Sequence, residues 1–134
     1  ICEYTEFADI DRMLTLFYKY NTDIDVLNDD SETPFTLLTR NILDFGHHED
    51  DRDMILNCVN FFVDKNVNLY HNIKIANKNN CIRNILQIEG TIKNDILKKI
   101  IDNMDNKWEI MYFLLCLPYK YREEWFEYSK HKIV

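Results

Sequence analysis

The run His47-His48-Glu49-Asp50-Asp51 places five metal-binding or proton-transferring side chains within one short stretch. A zinc site draws its ligands from positions whose side chains converge, and adjacent loop residues point apart. No His or Cys recurs at a zinc spacing, so the run is expected to be a solvated acidic loop holding no metal. A second acidic stretch, DDSETPFTLL from Asp29 to Leu38, sets Asp29, Asp30 and Glu32 beside the hydroxyls of Ser31 and Thr33. Paired carboxylates do general acid–base work when a nucleophile, a basic partner or a phosphate loop accompanies them. None does here. The spacing D-x-D-x-x-x-D-D, Asp23 to Asp30, also lacks the Gly and the terminal Glu of a calcium-binding EF-hand loop. The acids read as an exposed polar turn, with no enzyme activity and no cofactor expected.

Cys2, Cys58, Cys81 and Cys116 are scattered, with no pair at a C-x-x-C spacing. Cys58 and Cys116 lie inside apolar runs, where a free thiol acts as a small core residue. Free thiols rather than disulfides are expected, which points to a reducing, intracellular and cytoplasmic setting. The sequence begins at Ile1 without a Met, which suggests a fragment or a processed piece.

The elements that must position these residues are helical. Gly and Pro occur twice each in 134 residues, too few for the many turns of a β-rich fold. Between Ala8 and Tyr20, Ile10, Met13, Leu14, Phe17 and Tyr18 recur at steps of three and four, the face of an amphipathic helix. The acidic stretch from Asp23 to Thr33 follows, with Ile24 and Val26 as its apolar anchors. Thr33-Pro34 then reads as a helix start: the hydroxyl accepts a backbone N–H, and proline lacks the donor that would be orphaned there. Helices are expected over Pro34–Leu43, Arg52–Asp64, Cys81–Ile88, Ile92–Met104, Lys107–Leu117 and Tyr119–Lys130. The longest apolar stretch, Ile110–Leu117, is too short to span a bilayer. A net charge of −7 opposes general nucleic-acid binding, which requires phosphate neutralisation. Neither a nucleic-acid nor a membrane partner is expected.

A repeat is legible as well. DRMLTLFYKYNTDIDVLN and DMILNCVNFFVDKNVNLYH both run from an apolar helix through a polar stop into an alternating D-I-D-V or N-V-N-L step. Their starts, Asp11 and Asp53, are 42 residues apart, a period typical of solenoids. With its D-I-D-V step, polar turn and T-P-F-T-L-L helix start, Asp23–Leu38 resembles the ankyrin-repeat family, in which a D-V-N step, a hairpin tip and a T-P-L-H helix follow one another. Glu32 stands where Gly is usual and Thr36 where His is usual. The second linker, Asn66–Asn80, has no Thr-Pro pair and matches less well. The connection Leu43–Arg52 exceeds that of a common ~33-residue repeat by about eight residues. Lengthened, Asn- and Ile-rich repeats of this kind are similar to those of poxviral ankyrin proteins, and equally to insect ones.

The resemblance implies an all-α fold: a short ankyrin-like solenoid over residues 1–105 and a helical C-terminal cap over 106–134. Within the array, 8–22 would end a first repeat, 23–65 form a second and 66–105 a third. It also implies a non-catalytic protein–protein interaction module that uses hairpin tips and the short-helix face. Asn28, Asp29, Asp30, Ser31 and Glu32 at the tip are the candidate partner-binding residues, joined by Arg40 on the short helix and His47 and His48 on the long loop. An acidic tip suits a protein partner with a basic patch. If the chain is viral, that partner would be a host signalling protein or a ubiquitin-ligase adaptor, because poxviral relatives often end in an F-box-like segment, of which Leu117-Pro118 is a faint echo. The alternative is a small α-helical bundle that inhibits host apoptosis or innate signalling by gripping a partner helix. The cluster Trp108, Tyr112, Phe113, Trp125 and Phe126 is expected to be core rather than an exposed binding spot.

Overall fold

A computed structural model describes residues 7–20, 26–30, 32–45, 51–64 and 81–134. Among the described residues the chain is all-helical and contains no strand. Its helices are α1 (Phe7–Lys19), α2 (Pro34–Phe45), α3 (Arg52–Asp64), α4 (Cys81–Gln87), α5 (Ile92–Asp102), α6 (Lys107–Cys116) and α7 (Tyr119–Ile133). None of them is long and apolar enough to cross a membrane.

Local chemistry sets the ends of these helices. The Thr33 hydroxyl accepts the Thr36 N–H at 3.2 Å, so the expected cap at Thr33-Pro34 is in place. Gly90, at φ 86°, makes the turn between α4 and α5 in a conformation that a Cβ would disfavour. Thr91, at the start of α5, does not cap with its side chain. Its hydroxyl instead accepts from Arg52 Nη1 at 3.0 Å, and Arg52 also pairs with Asp95. The N-termini of α3 and α5 are thereby tied together. Asn106 caps α6 by accepting the Trp108 N–H at 2.8 Å.

Helix α3 packs against α1, α2 and α5, while α2 packs against α4 and α4 against α5. The apolar faces meet in one cluster that includes Leu14 of α1, Phe35 of α2, Phe62 of α3, Ile85 of α4 and Ile96 of α5. A polar row is buried with them. Asn84 of α4 donates to the Thr36 carbonyl at 3.4 Å and to the Thr39 hydroxyl at 3.2 Å, and that hydroxyl donates to the Thr36 carbonyl at 2.7 Å. Buried polar groups are tolerated when they satisfy one another, so this row fixes how α2 and α4 sit together.

Helices α6 and α7 pack on each other around Pro118. Helix α7 runs three residues past its expected end at Lys130 because its last turn serves α5. Lys132 Nζ donates to the carbonyls of Ile101, Asp102 and Met104 at 3.0, 2.7 and 2.9 Å. A cation satisfying the open carbonyls at a helix C-terminus is stabilising. Lys132→Met is expected to lower stability by about 1 kcal/mol, a modest figure because the site is only partly buried. Urea unfolding of the two proteins side by side measures it.

Among the described residues Cys58, Cys81 and Cys116 form no disulfide; Cys58 is buried as expected of a core residue, and Cys81 is buried as well. Cys116, read as core, is exposed; it sits at the end of an apolar helix whose other face does the packing. Cys2 lies outside the described residues. Burial pushes the Cys81 thiol from its usual 9.0 up to about 12. Between those values the unfolded chain sheds a proton that the folded chain retains. Cys81 therefore stabilises the fold fully below pH 9 and loses that contribution as pH climbs toward about 12. Denaturant melts at about pH 8 and about pH 10.5 should show the stability gap between wild type and Cys81→Ala shrinking at the higher pH.

Candidate functional site

The tip loop is organised by Asn28. Its backbone N–H donates to the Glu32 carbonyl at 3.0 Å, and its side-chain Oδ1 accepts the N–H groups of Asp30 and Glu32 at 3.0 and 2.9 Å. Asn28 is exposed but committed to closing the turn. Asp29 and Asp30 occupy the turn and are exposed. Val26, expected to anchor the stretch, is 54% exposed.

Glu32 departs from expectation. The sequence places it on the exposed tip, yet it is 1% exposed. Its Oε2 accepts from Arg40 Nη1 at 2.7 Å, with the carboxylate side chain fully buried and the guanidinium largely so. Its Oε1 accepts from the Asn28 amide at 3.4 Å. The side chain turns inward because Arg40, eight residues on and two turns along α2, supplies a fixed cation beneath the loop. Glu32 and Arg40 thus support the tip from below, and Arg40 is not a free contact residue. Of the expected site, Asp29 and Asp30 remain available to a partner. Ser31, His47 and His48 lie outside the described residues, as does Ile24.

A second surface was not anticipated as a site. Beyond its first turn, which carries Lys107 and Glu109, helix α6 is apolar on every side, and an all-round apolar helix needs cover on every side. Ile110, Phe113 and Leu114 are buried, whereas Met111 and Leu115 are exposed, Leu115 to 66%. Those outer residues border an open groove of about 610 Å³ shared with α7, where Tyr119 and Phe126 form much of the wall. The aromatic cluster is accordingly divided. Phe113 and Trp125 are core, Tyr112 is half-buried, and Trp108 and Phe126 are exposed. The apolar run Ile110–Leu117 carried the signal, since seven of its eight residues lie consecutively on α6 and cannot all face a single core.

The charged walls of the groove are Lys120, Arg122 and Glu123. Arg122 is held in place: Nε donates to the Leu117 carbonyl at 2.9 Å and Nη2 to the Leu115 carbonyl at 2.8 Å. These bonds satisfy the open end of α6, and among the described residues the guanidinium has no carboxylate partner. Lys120 is exposed, with its ammonium 5.0 Å from the centre of the Tyr121 ring, and Lys93 approaches the same ring at 5.5 Å.

Elsewhere, Tyr128 donates its hydroxyl to both Asp102 oxygens at 2.8 and 3.1 Å, joining α7 to the end of α5. Burial, then that carboxylate, raises the Tyr128 phenol above its usual value. Among the described residues no three His, Cys, Asp or Glu side chains converge as a metal site would require. What both surfaces offer is contact: a pair of carboxylates on a braced turn, and an apolar groove with cationic borders. No family model, curated protein or solved structure matches the chain.

Proposed function

We propose that the chain is a non-catalytic protein-interaction module, an ankyrin-like array of helix pairs that presents the Asp29–Asp30 tip to a basic patch on a partner protein. The observation that supports it is the order of packing. Pairs α2/α3 and α4/α5 follow one another, with α2 against α4 and α1, α3 and α5 in succession. Such a stack favours the repeat reading over a bundle wrapped about one helix. In a stack, each tip is held by the helices below it, so binding requires little ordering. The Glu32–Arg40 pair gives this turn that support. A host signalling protein or a ubiquitin-ligase adaptor is the partner class that the poxviral likeness suggests, in an intracellular setting.

The test is charge reversal at the two free acids. Asp29→Lys/Asp30→Lys should leave the fold intact, because both side chains are exposed. It should abolish the salt-sensitive part of partner capture in quantitative affinity purification. Retention of every partner at every salt concentration would remove the tip from the proposal.

A further inference from the structure

We infer that the α6–α7 groove is a separate docking site, and that its occupant is an amphipathic helical segment of a partner protein, with apolar anchors flanked by Asp or Glu. The apolar part of the argument comes from α6. Its outer residues Met111 and Leu115, with Tyr119 and Phe126 of α7, form a concave apolar surface of about 610 Å³. That volume suits a few large side chains arriving together.

The backbone of the occupant is set by what the groove lacks. An extended peptide gains its affinity by adding to a sheet edge, and no strand stands among the described residues to offer one. The open carbonyls at the end of α6, those of Leu115 and Leu117, are already taken by Arg122. A segment entering this groove must satisfy its own N–H and C=O groups, which a helix does.

Charge selects its flanks. Among the described residues Lys120 and Arg122 border the groove without an ion-pair partner, against one acid, Glu123. Arg122 is pre-set by its two carbonyl bonds and keeps donors in reserve for a carboxylate, so a partner acid meets a cation that needs no ordering. The wider sequence agrees: residues 81–134 contain 9 Lys and Arg against 8 Asp and Glu, whereas residues 1–80 contain 7 against 15. The groove therefore takes the opposite charge from the tip, and the two surfaces serve different partners.

Selection from a displayed library of random helical peptides on the full chain tests the inference. Enriched peptides should carry apolar residues at i, i+4 and i+7 with acids beside them. Their affinity, by fluorescence anisotropy, should fall by about tenfold or more in Leu115→Glu and about fivefold in Lys120→Glu. Asp29→Lys/Asp30→Lys should leave it unchanged, which separates this site from the tip. Leu115 and Lys120 are exposed, so neither variant should disturb the fold, and circular dichroism checks that. The inference is overturned if nothing is enriched, if the peptides are basic or lack helical spacing, or if Leu115→Glu binds them as well as wild type. It is equally overturned if the wild-type chain dimerises in sedimentation and Leu115→Glu abolishes the dimer, which would make a second copy the occupant.

Discussion

Arg40→Met lowers the stability of the chain by about 3 kcal/mol, a large effect for one substitution. The reason is the state in which Glu32 is left. Its side chain is fully buried and its strong contact is the Arg40 guanidinium at 2.7 Å. Without Arg40, the carboxylate retains the Asn28 amide at 3.4 Å, too long to replace a charge-assisted bond. A buried charge stripped of its partner is the expensive outcome, whereas removing both partners together is far milder. The double variant Glu32→Leu/Arg40→Met should therefore be more stable than Arg40→Met alone, despite carrying one more change. Urea unfolding of the wild type, both single variants and the double variant closes the cycle and yields the coupling energy. A loss below about 1 kcal/mol in Arg40→Met would mean that the pair acts as an ordinary surface bridge. The same change should loosen the turn that carries Asp29 and Asp30, so partner capture should weaken although neither acid has been touched.

Glu32 also marks a limit to what local sequence encodes. The helices were legible because their apolar residues recur with helical period, and Arg52–Asp64 matches α3 at both ends. Thr33-Pro34 was legible because capping chemistry is local, complete within four residues. Glu32 was not, since an acid in a polar run between hydroxyls looks exposed until the helix after it brings Arg40 underneath. That contact exists only once α2 is formed. The groove failed for a different reason. Periodicity separates a buried face from a wet one only when their residues differ, and α6 is apolar on both. Trp108 and Trp125 illustrate the consequence: they read alike in sequence, yet Trp108 is 66% exposed at the first turn of α6 and Trp125 is 2% exposed within α7. The inward face of Ile110 and Phe113 and the outward face of Met111 and Leu115 are distinguished only by where α7 lies.

Phe62→Ala should cost about 4 kcal/mol, the range for truncating a large aromatic side chain in a core. Phe62 is wholly buried on α3, the helix that meets α1, α2 and α5, and its ring lies 5.4 Å from that of Phe35 on α2. The ring of Phe61 packs edge-on against it at 5.6 Å. Truncation removes both aromatic contacts and opens a cavity between α2 and α3, which cannot close without moving α3. Phe62→Leu keeps most of the volume and should lose much less, about 1.5 kcal/mol. Denaturant unfolding of the two variants distinguishes a packing effect from a disrupted helix, since Ala and Leu both favour helix more than Phe does. The distribution of the damage bears on the architecture. In a stack, each helix pair is stabilised mainly by its neighbours, so amide exchange should accelerate in α1 to α5 while α6 and α7 keep more of their protection. In a bundle wrapped about one central helix, all seven described helices would lose protection together. Uniform loss across the chain would thus count against the array, and with it against a tip braced by the pairs beneath it.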